Sequence, residues 1–265
     1  MTGAAQLDPA ELDNDQLLRH ARTVILDEID EEGQAKLLAA RVLVVGAGGL
    51  GSPLMLYLAA MGIGTIGVAD DDRVDMTNLQ RQIVHTTAGI GQAKTASAAA
   101  AIRRLNPHVT VERHDERVTA DTAEGLVARY DLVADGTDNP TARYVMNDAC
   151  HRAKVPLISA AVVRFEGQIT THRSFEPGDN PCYRCIHPKE LPDDLLPRCE
   201  EVGILGPAAG VMGSLMAVEA AKELLGLGES LSGRLLLYDA LTPELRPIRV
   251  HRRRDCPLCG DVPGA

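Results

Sequence analysis

The chain has 265 residues, 45% hydrophobic and 24% charged, an ordinary globular composition that excludes a disulfide-stapled miniprotein, a disordered chain and a coiled coil. Aromatic residues make up 3%, with no Trp, and the net charge is -10, so the chain offers neither a stacking platform for single strands nor a basic footprint for a phosphate backbone. Nucleic acid is therefore not an expected partner.

Met1 to Gln16 is acidic and lacks the apolar run of a signal peptide, so it reads as a mobile tail (1–16) on a cytoplasmic protein. An amphipathic segment carrying Arg19 and Arg22 follows. Val42 to Ala69 holds no charged residue over 28 positions, a length that suits a membrane span, but seven glycines and Pro53 divide it into strand, glycine turn, helix and strand. No membrane partner is expected.

Short aliphatic runs at Val42–Val45, Thr65–Ala69, Val109–Val111, Leu132–Ala134 and Leu157–Ser159 alternate with helix-length segments at Ser52–Met61, Gln92–Leu105, Asp121–Ala128 and Thr141–Arg152. This rhythm predicts an α/β fold, a Rossmann-like and mostly parallel sheet with helices on both faces. After Ala161 the pattern changes. Val162–His172 reads as extended, Pro177–Arg198 as a polar loop with five prolines, and Val202–Val218 as a loop entering a buried helix that continues to Leu225. Leu235–Tyr238 and Ile248–His251 read as closing antiparallel strands. The expected organisation is a single domain over 17–265.

Gly46-Ala47-Gly48-Gly49-Leu50-Gly51 matches G-x-G-x-x-G between a predicted strand and a predicted helix. Glycines there let the backbone turn sharply and approach a phosphate, while free amides and the helix dipole favour negative charge. Asp70 stands 19 residues beyond Gly51, at the end of the next strand, where a carboxylate can accept from ribose hydroxyls. The fragment indicates an adenosine nucleotide and leaves NAD, FAD and ATP open. A glycine turn that serves helix packing alone is the other reading. Asp71 to Gln82 is more charged than hydride transfer requires, and Arg81 and Lys94 suit a triphosphate.

Cys182-x-x-Cys185 and Cys256-x-x-Cys259 are two knuckles with the spacing of a four-cysteine zinc site, which would pin the proline-rich loop to the C-terminal segment. A redox pair is the rival. Cys150 lies inside a predicted helix and reads as core. Arg252-Arg253-Arg254 reads as a solvated run, with docking of an acidic partner as the alternative.

Arg19-x-x-Arg22, the Gly46–Gly51 loop, Asn78-Leu79-Gln80-Arg81-Gln82, Gly91-Gln92-x-Lys94, Asn106-Pro107, Asp135-Gly136-Thr137-Asp138-Asn139 and Glu166-Gly167-Gln168 occur in the order found in the MoeB/ThiF/HesA family, relatives of ubiquitin-activating enzymes. The chain resembles that family from Leu18 to Asp261, and Cys182-Tyr183-Arg184-Cys185 and Tyr238-Asp239-Ala240 lean toward its MoeB branch. The resemblance implies adenylation of the C-terminal glycine carboxylate of a ubiquitin-like sulfur carrier ending in Gly-Gly, with ATP and Mg²⁺ and release of pyrophosphate.

By the same resemblance, Gly46, Gly48, Gly49 and Gly51 receive the phosphates, Asp70 or Asp72 holds ribose, and Arg81 and Lys94 neutralise phosphate charge. Asn78 orients them. Asp138 coordinates Mg²⁺, although Asp138-Asn139-Pro140 is also good helix-capping text. Arg22 reaches the ATP of a neighbouring subunit, which implies a homodimer; His20 and Thr23 stand where the family commonly has Tyr and Gln. The resemblance points to zinc at the four knuckle cysteines as well. It divides the domain into a nucleotide-binding part, about 41–161, and a part for the carrier and zinc, about 162–265.

Cys199 falls where family members carry a cysteine that forms a covalent link in some and is dispensable in others; Glu200 and Glu201 beside it oppose a low thiol pKa. Ala265 follows the second knuckle closely, so a separate sulfur donor is expected. Two other readings remain, a nicotinamide-dependent oxidoreductase and a non-catalytic scaffold of the same fold. The cation set counts against the first and the presence of all the phosphate-gripping residues against the second.

Overall fold

The computed structural model describes residues 13–189, 202–242 and 244–262. Helix α1 (Asn14–Val24) opens on a reciprocal cap, in which Asp13 Oδ1 accepts from the Gln16 N–H at 2.8 Å and Gln16 Oε1 from the Asp13 N–H at 3.2 Å. The ordered helix thus reaches into the stretch read as tail. Helix α2 (Asp30–Ala39) follows, an element the sequence rhythm does not place.

Strands β1 (Arg41–Val45), β2 (Thr65–Ala69), β3 (Thr110–His114), β4 (Leu132–Asp135) and β5 (Leu157–Val163) run parallel, and β6 (Glu166–His172), β7 (Arg234–Asp239) and β8 (Glu244–Arg249) extend the sheet antiparallel in the order β3-β2-β1-β4-β5-β6-β7-β8. The crossovers are helices α3 (Gly51–Met61), α4 (Lys94–Leu105), α5 (Ala120–Val127) and α6 (Pro140–Ala153). A single turn, α7 (Tyr183–Ile186), and the long α8 (Gly206–Leu225) complete the described elements.

Parallel strands covered on both faces need apolar residues at every position, and β1 meets this with Val42, Leu43 and Val44 all fully buried. Val42 and Val44 pack with residues of α3, α4 and α8, whereas Leu43 and Val45 pack with residues of α5 and α6. Leu54 and Leu58 of α3 are fully buried, each contributing about 1.5–3 kcal/mol by leaving water. Among the described residues no helix is long and apolar enough to cross a membrane.

Two strands differ from the sequence reading. β3 runs Thr110–His114 and not Val109–Val111, because its edge position tolerates Glu112 and Arg113. β8 runs Glu244–Arg249 and not Ile248–His251; every residue of it is exposed, and Pro247 is tolerated because the strand is an edge.

Helix α8 lies close enough to α3 that a Cβ at Gly213 would stand 2.4 Å from the Leu50 carbonyl oxygen and 2.5 Å from Pro53 Cγ. Gly213→Ala is therefore expected to destabilise the fold by about 1–3 kcal/mol, read as a lower urea midpoint at unchanged m-value. An unchanged midpoint contradicts this packing.

Candidate active site

The strand order reverses between β1 and β4, and the loops leaving the C-terminal ends of the parallel strands open a crevice there, the usual ligand position of such sheets. The β1–α3 turn forms its floor. Gly46 has φ +91°, and a Cβ at Gly51 would stand 2.0 Å from the Gly46 carbonyl oxygen, so both positions require glycine. The Ala47 N–H donates to Asp70 Oδ2 at 2.7 Å, and the Asp72 N–H to Asp70 Oδ1 at 2.9 Å. Asp70 thus clamps the loop with both oxygens. Burial pushes its carboxyl up, and the Lys94 charge and these amides pull it back. The N–H groups of Gly48, Gly49 and Leu50 in the turn, and of Gly51 where α3 begins, have no acceptor among the described residues, and the positive end of the helix dipole stands beside them.

A cavity of about 330 Å³ stands over this turn, and Gly46, Gly48, Gly49, Asp70, Asp72, Arg81, Lys94 and Asp138 all line it. Lys94 is the first residue of α4, so its ammonium adds to the positive end of that helix. Its side chain is 8% exposed, while its partner Asp72, 2.8 Å away, is 69% exposed. An ion pair with so open a partner contributes about 0–1 kcal/mol, and an incoming anion displaces Asp72 at little cost. The Arg81 stem crosses the loop, its Cγ 3.4 Å from where a Gly49 Cβ would be, and its Nη1 donates to the Thr77 carbonyl at 3.1 Å.

The β4–α6 turn forms the opposite wall. Asn139, not Asp138, caps α6, its Oδ1 accepting from the Ala142 N–H at 3.1 Å with Pro140 in the first turn. The exposed Asp138 carboxylate is left facing the cavity. Beneath it Asp135 is fully buried; its Oδ1 accepts from the Thr137 N–H and Oγ1 at 2.9 and 2.8 Å, while Oδ2 has no partner among the described residues. Burial pushes the Asp135 carboxyl up, against the nearby Arg143 charge. Arg143 is buried, donates to the Thr137 carbonyl and lines the cavity. The sequence reading missed this third cation; its only signal is a charged residue at a core-facing position of α6, beside Tyr144 and Asn147.

Three further candidates fall elsewhere. Gly51 acts in packing the turn. Asn78 sits in a 3-10 turn, Met76–Asn78, with Nδ2 3.4 Å from Thr77 Oγ1, and is not in the cavity lining. Arg22 is exposed on α1, also outside the lining within this chain. Cys199 lies outside the described residues, as does part of the proline-rich loop. Cys150 is buried, as its helical context implies, and burial pushes its thiol well up.

The knuckle cysteines converge. Cys182, Cys185, Cys256 and Cys259 are buried and unpaired by disulfides, with sulfur separations of 3.9 Å (Cys182 to Cys185) and 3.5 Å (Cys182 to Cys256 and Cys185 to Cys259). All four sulfurs lie within 4.8 Å of one another. A tetrahedron with metal–sulfur bonds of about 2.3 Å has edges of about 3.8 Å, so the set fits Zn²⁺. Donation from the Cys182 thiol, and then from Cys259, holds Cys185 well below the usual thiol range, and the Arg253 N–H reaches its sulfur at 3.3 Å.

This centre is fastened to α6. The Tyr183 N–H donates to Asn147 Oδ1 at 2.8 Å, and Arg184 grips Asp148 with two nitrogens at 2.8 and 2.9 Å. The neighbouring arginines are not a solvated run throughout. Arg252 is buried, donating to the carbonyls of Asn180, Ser174 and Glu176, and Arg253 pairs with Asp255.

The sequence pattern of the ThiF family matches residues 20–258. The chain is 49% identical over 255 residues to adenylyltransferase and sulfurtransferase MOCS3 of Bos taurus, covering 96% of this chain and 55% of that one. It therefore spans about half the length of the MOCS3 relatives it matches. It is 46% identical over 250 residues to the SAMP-activating enzyme E1 of Haloferax volcanii, covering 94% and 91%, and 44% identical over 251 residues to the sulfur carrier protein adenylyltransferase of Thermus thermophilus, covering 94% and 93%. Among solved structures, E. coli MccB with MccA-N7isoASN shares the fold at a TM-score of 0.80 and 22% identity, covering 95% of this chain and 76% of that one. Ordered motifs, crevice and relatives agree, and the chain belongs to the ThiF family.

Proposed function

We propose that this chain uses ATP to adenylate the C-terminal glycine carboxylate of a ubiquitin-like sulfur-carrier protein ending in Gly-Gly. One observation carries the reading: Gly48, Gly49 and Leu50, whose amides have no acceptor among the described residues, line a single cavity with Arg81, Lys94, Arg143 and the exposed carboxylate of Asp138. The names of the Haloferax and Thermus relatives, which this chain nearly spans, support the same activity. Hydride transfer has no use for three cations over a glycine loop, and a scaffold has no need to retain them.

The carrier carboxylate attacks the α-phosphorus in line, an O–P bond forms, and the bond to the bridging oxygen breaks as pyrophosphate leaves. Positioning and charge neutralisation supply the acceleration. The loop amides and Lys94 hold phosphate oxygens, with Lys94 released from Asp72 as they arrive; Arg81 grips from the other side, and Asn78 braces the turn that supports it. Asp70 keeps the loop in shape and Asp72, freed from Lys94, takes the ribose. Asp138 is the fitting ligand for Mg²⁺, a hard cation that prefers carboxylate and water and would neutralise phosphate charge.

A second cavity of about 580 Å³ lies over the antiparallel strands, lined by Gly167, Leu237 and Tyr238 among others, and shares Val162 with the nucleotide cavity. We assign it to the carrier, which leads its tail past Val162 to the phosphates. This gives the parts about 41–161 and about 162–265 their separate tasks. The sulfur donor is proposed to be a separate polypeptide. The free thiols suit a reducing compartment, the cytoplasm.

Arg22 is assigned to the site of a second copy. Leu18 and Ile25, 75% and 68% exposed, flank it four residues before and three after, on the same helix face, as an interface requires.

Carrier-dependent pyrophosphate exchange, run against a panel of Gly-Gly carriers, is the direct test. Lys94→Ala and Asp138→Ala should each lower it by at least about a hundredfold in folded protein, and undiminished exchange refutes the assignment. Mixing Arg22→Ala with Lys94→Ala subunits should restore about a quarter of wild-type activity through dimers with one complete site; no recovery after verified subunit exchange removes Arg22 from the partner's site. Elemental analysis of fresh protein should find one zinc per chain, and its removal should lower Tm. Metal-free protein of unchanged Tm rejects the centre.

A further inference from the structure

His85 belongs to none of the assignments above, yet it is 6% exposed and sits behind the glycine loop, outside the cavity lining. Its Nε2 lies 2.9 Å from the Ala47 carbonyl oxygen and its Nδ1 2.9 Å from Ser97 Oγ. A carbonyl can only accept, so Nε2 carries the proton, and Nδ1 of the neutral ring accepts from the Ser97 hydroxyl. Burial holds the ring below the usual histidine range and so keeps it neutral.

Ala47 is therefore fixed at both ends, its N–H by Asp70 and its C=O by His85. The Ala47 carbonyl and the Gly48 N–H belong to one trans peptide plane, in which they point in opposite directions. With His85 on the buried side, the Gly48 N–H is turned away from it toward the cavity, where it has no acceptor among the described residues. Ser97 stands on α4 three residues beyond Lys94. One imidazole thus links the helix that presents the ammonium to the loop that presents the amide.

We propose that His85 is a positioning residue for the phosphates of the bound nucleotide, aiming the Gly48 amide and fixing its separation from Lys94. The inference rests on the adenylation reading and adds to it a residue that never touches substrate. Its effect is on nucleotide grip, because loop amides hold phosphate before and during the reaction, and carrier docking lies elsewhere.

His85→Gln keeps an amide N–H where Nε2 stands, His85→Asn places its amide near Nδ1, within reach of Ser97 and short of Ala47, and His85→Leu has neither. Pyrophosphate exchange is measured with ATP and carrier varied separately, alongside thermal melts. Loss of a buried, aligned hydrogen bond should raise the ATP KM about tenfold in the Leu and Asn variants with carrier KM unchanged, and Gln should return it to within about threefold of wild type. A wild-type ATP KM in the Leu or Asn variant overturns the proposal. So does a Gln variant no better than Asn, or a joint rise of both KM values with a fall in Tm. Should the Leu variant not fold, the Gln and Asn pair decides. If wild-type protein exchanges pyrophosphate on no carrier, the adenylation reading fails by itself, and calorimetric ATP binding to the same variants, with the same fold-changes expected, settles His85.

Discussion

Between the Gly46 carbonyl and the first turn of α3 there is no room for a side chain: the Cβ of any other residue at Gly51 would fall 2.0 Å from that oxygen. This contact lets the helix begin almost on the end of β1, so that its positive dipole end and the turn amides of Gly48 to Leu50, which have no acceptor among the described residues, sit at the rim of the sheet. The chain leaving the neighbouring strand β4 passes to the opposite face of the sheet, so the two loops part there. Every charged group of the site is arranged around that small region of bare backbone.

The charges are held at different depths, and depth decides which of them can be exchanged. Asp70 is tied to two backbone amides and stays in place. Asp135 lies deeper still and shapes the Thr137 turn. Asp72 and Asp138 are open to solvent, so they can give up one partner for another as a nucleotide and its counter-cation enter. Of the cations, Lys94 and Arg143 are buried along their stems, which fixes where positive charge waits without anchoring the anion that meets it.

Much of this was legible in the sequence where the physics is local. The limits of β2 match the Thr65–Ala69 run because a strand covered on both faces must be apolar throughout, and the glycine turn announces itself by residues that no other chemistry requires. The four cysteines were legible from spacing alone. Most of what escaped is set by contacts between distant segments, and one local feature escaped with it. The Asp13–Gln16 cap hid in acidic text that also describes a tail. β8 alternates Arg with apolar residues on an open edge, so its limits slipped. Arg252 sits in a basic run, and only the carbonyls of residues 174 to 180, brought up by the fold, reveal it as buried. His85 was invisible as a functional group for the same reason, since Ala47 and Ser97 come from other segments, and Arg143 because only the fold turns the start of α6 toward the crevice.

Helix α6 joins two regions whose chemistry has nothing in common. Its first turn carries the Asp138–Asn139 rim, and two turns later Asn147 and Asp148 grasp the segment that bears Cys182 and Cys185. A rigid rod pinned at mid-length has little freedom at its tip. A metal held by the four cysteines would therefore act on nucleotide affinity from a distance, and stripping it would weaken the grip on nucleotide without anything entering the crevice.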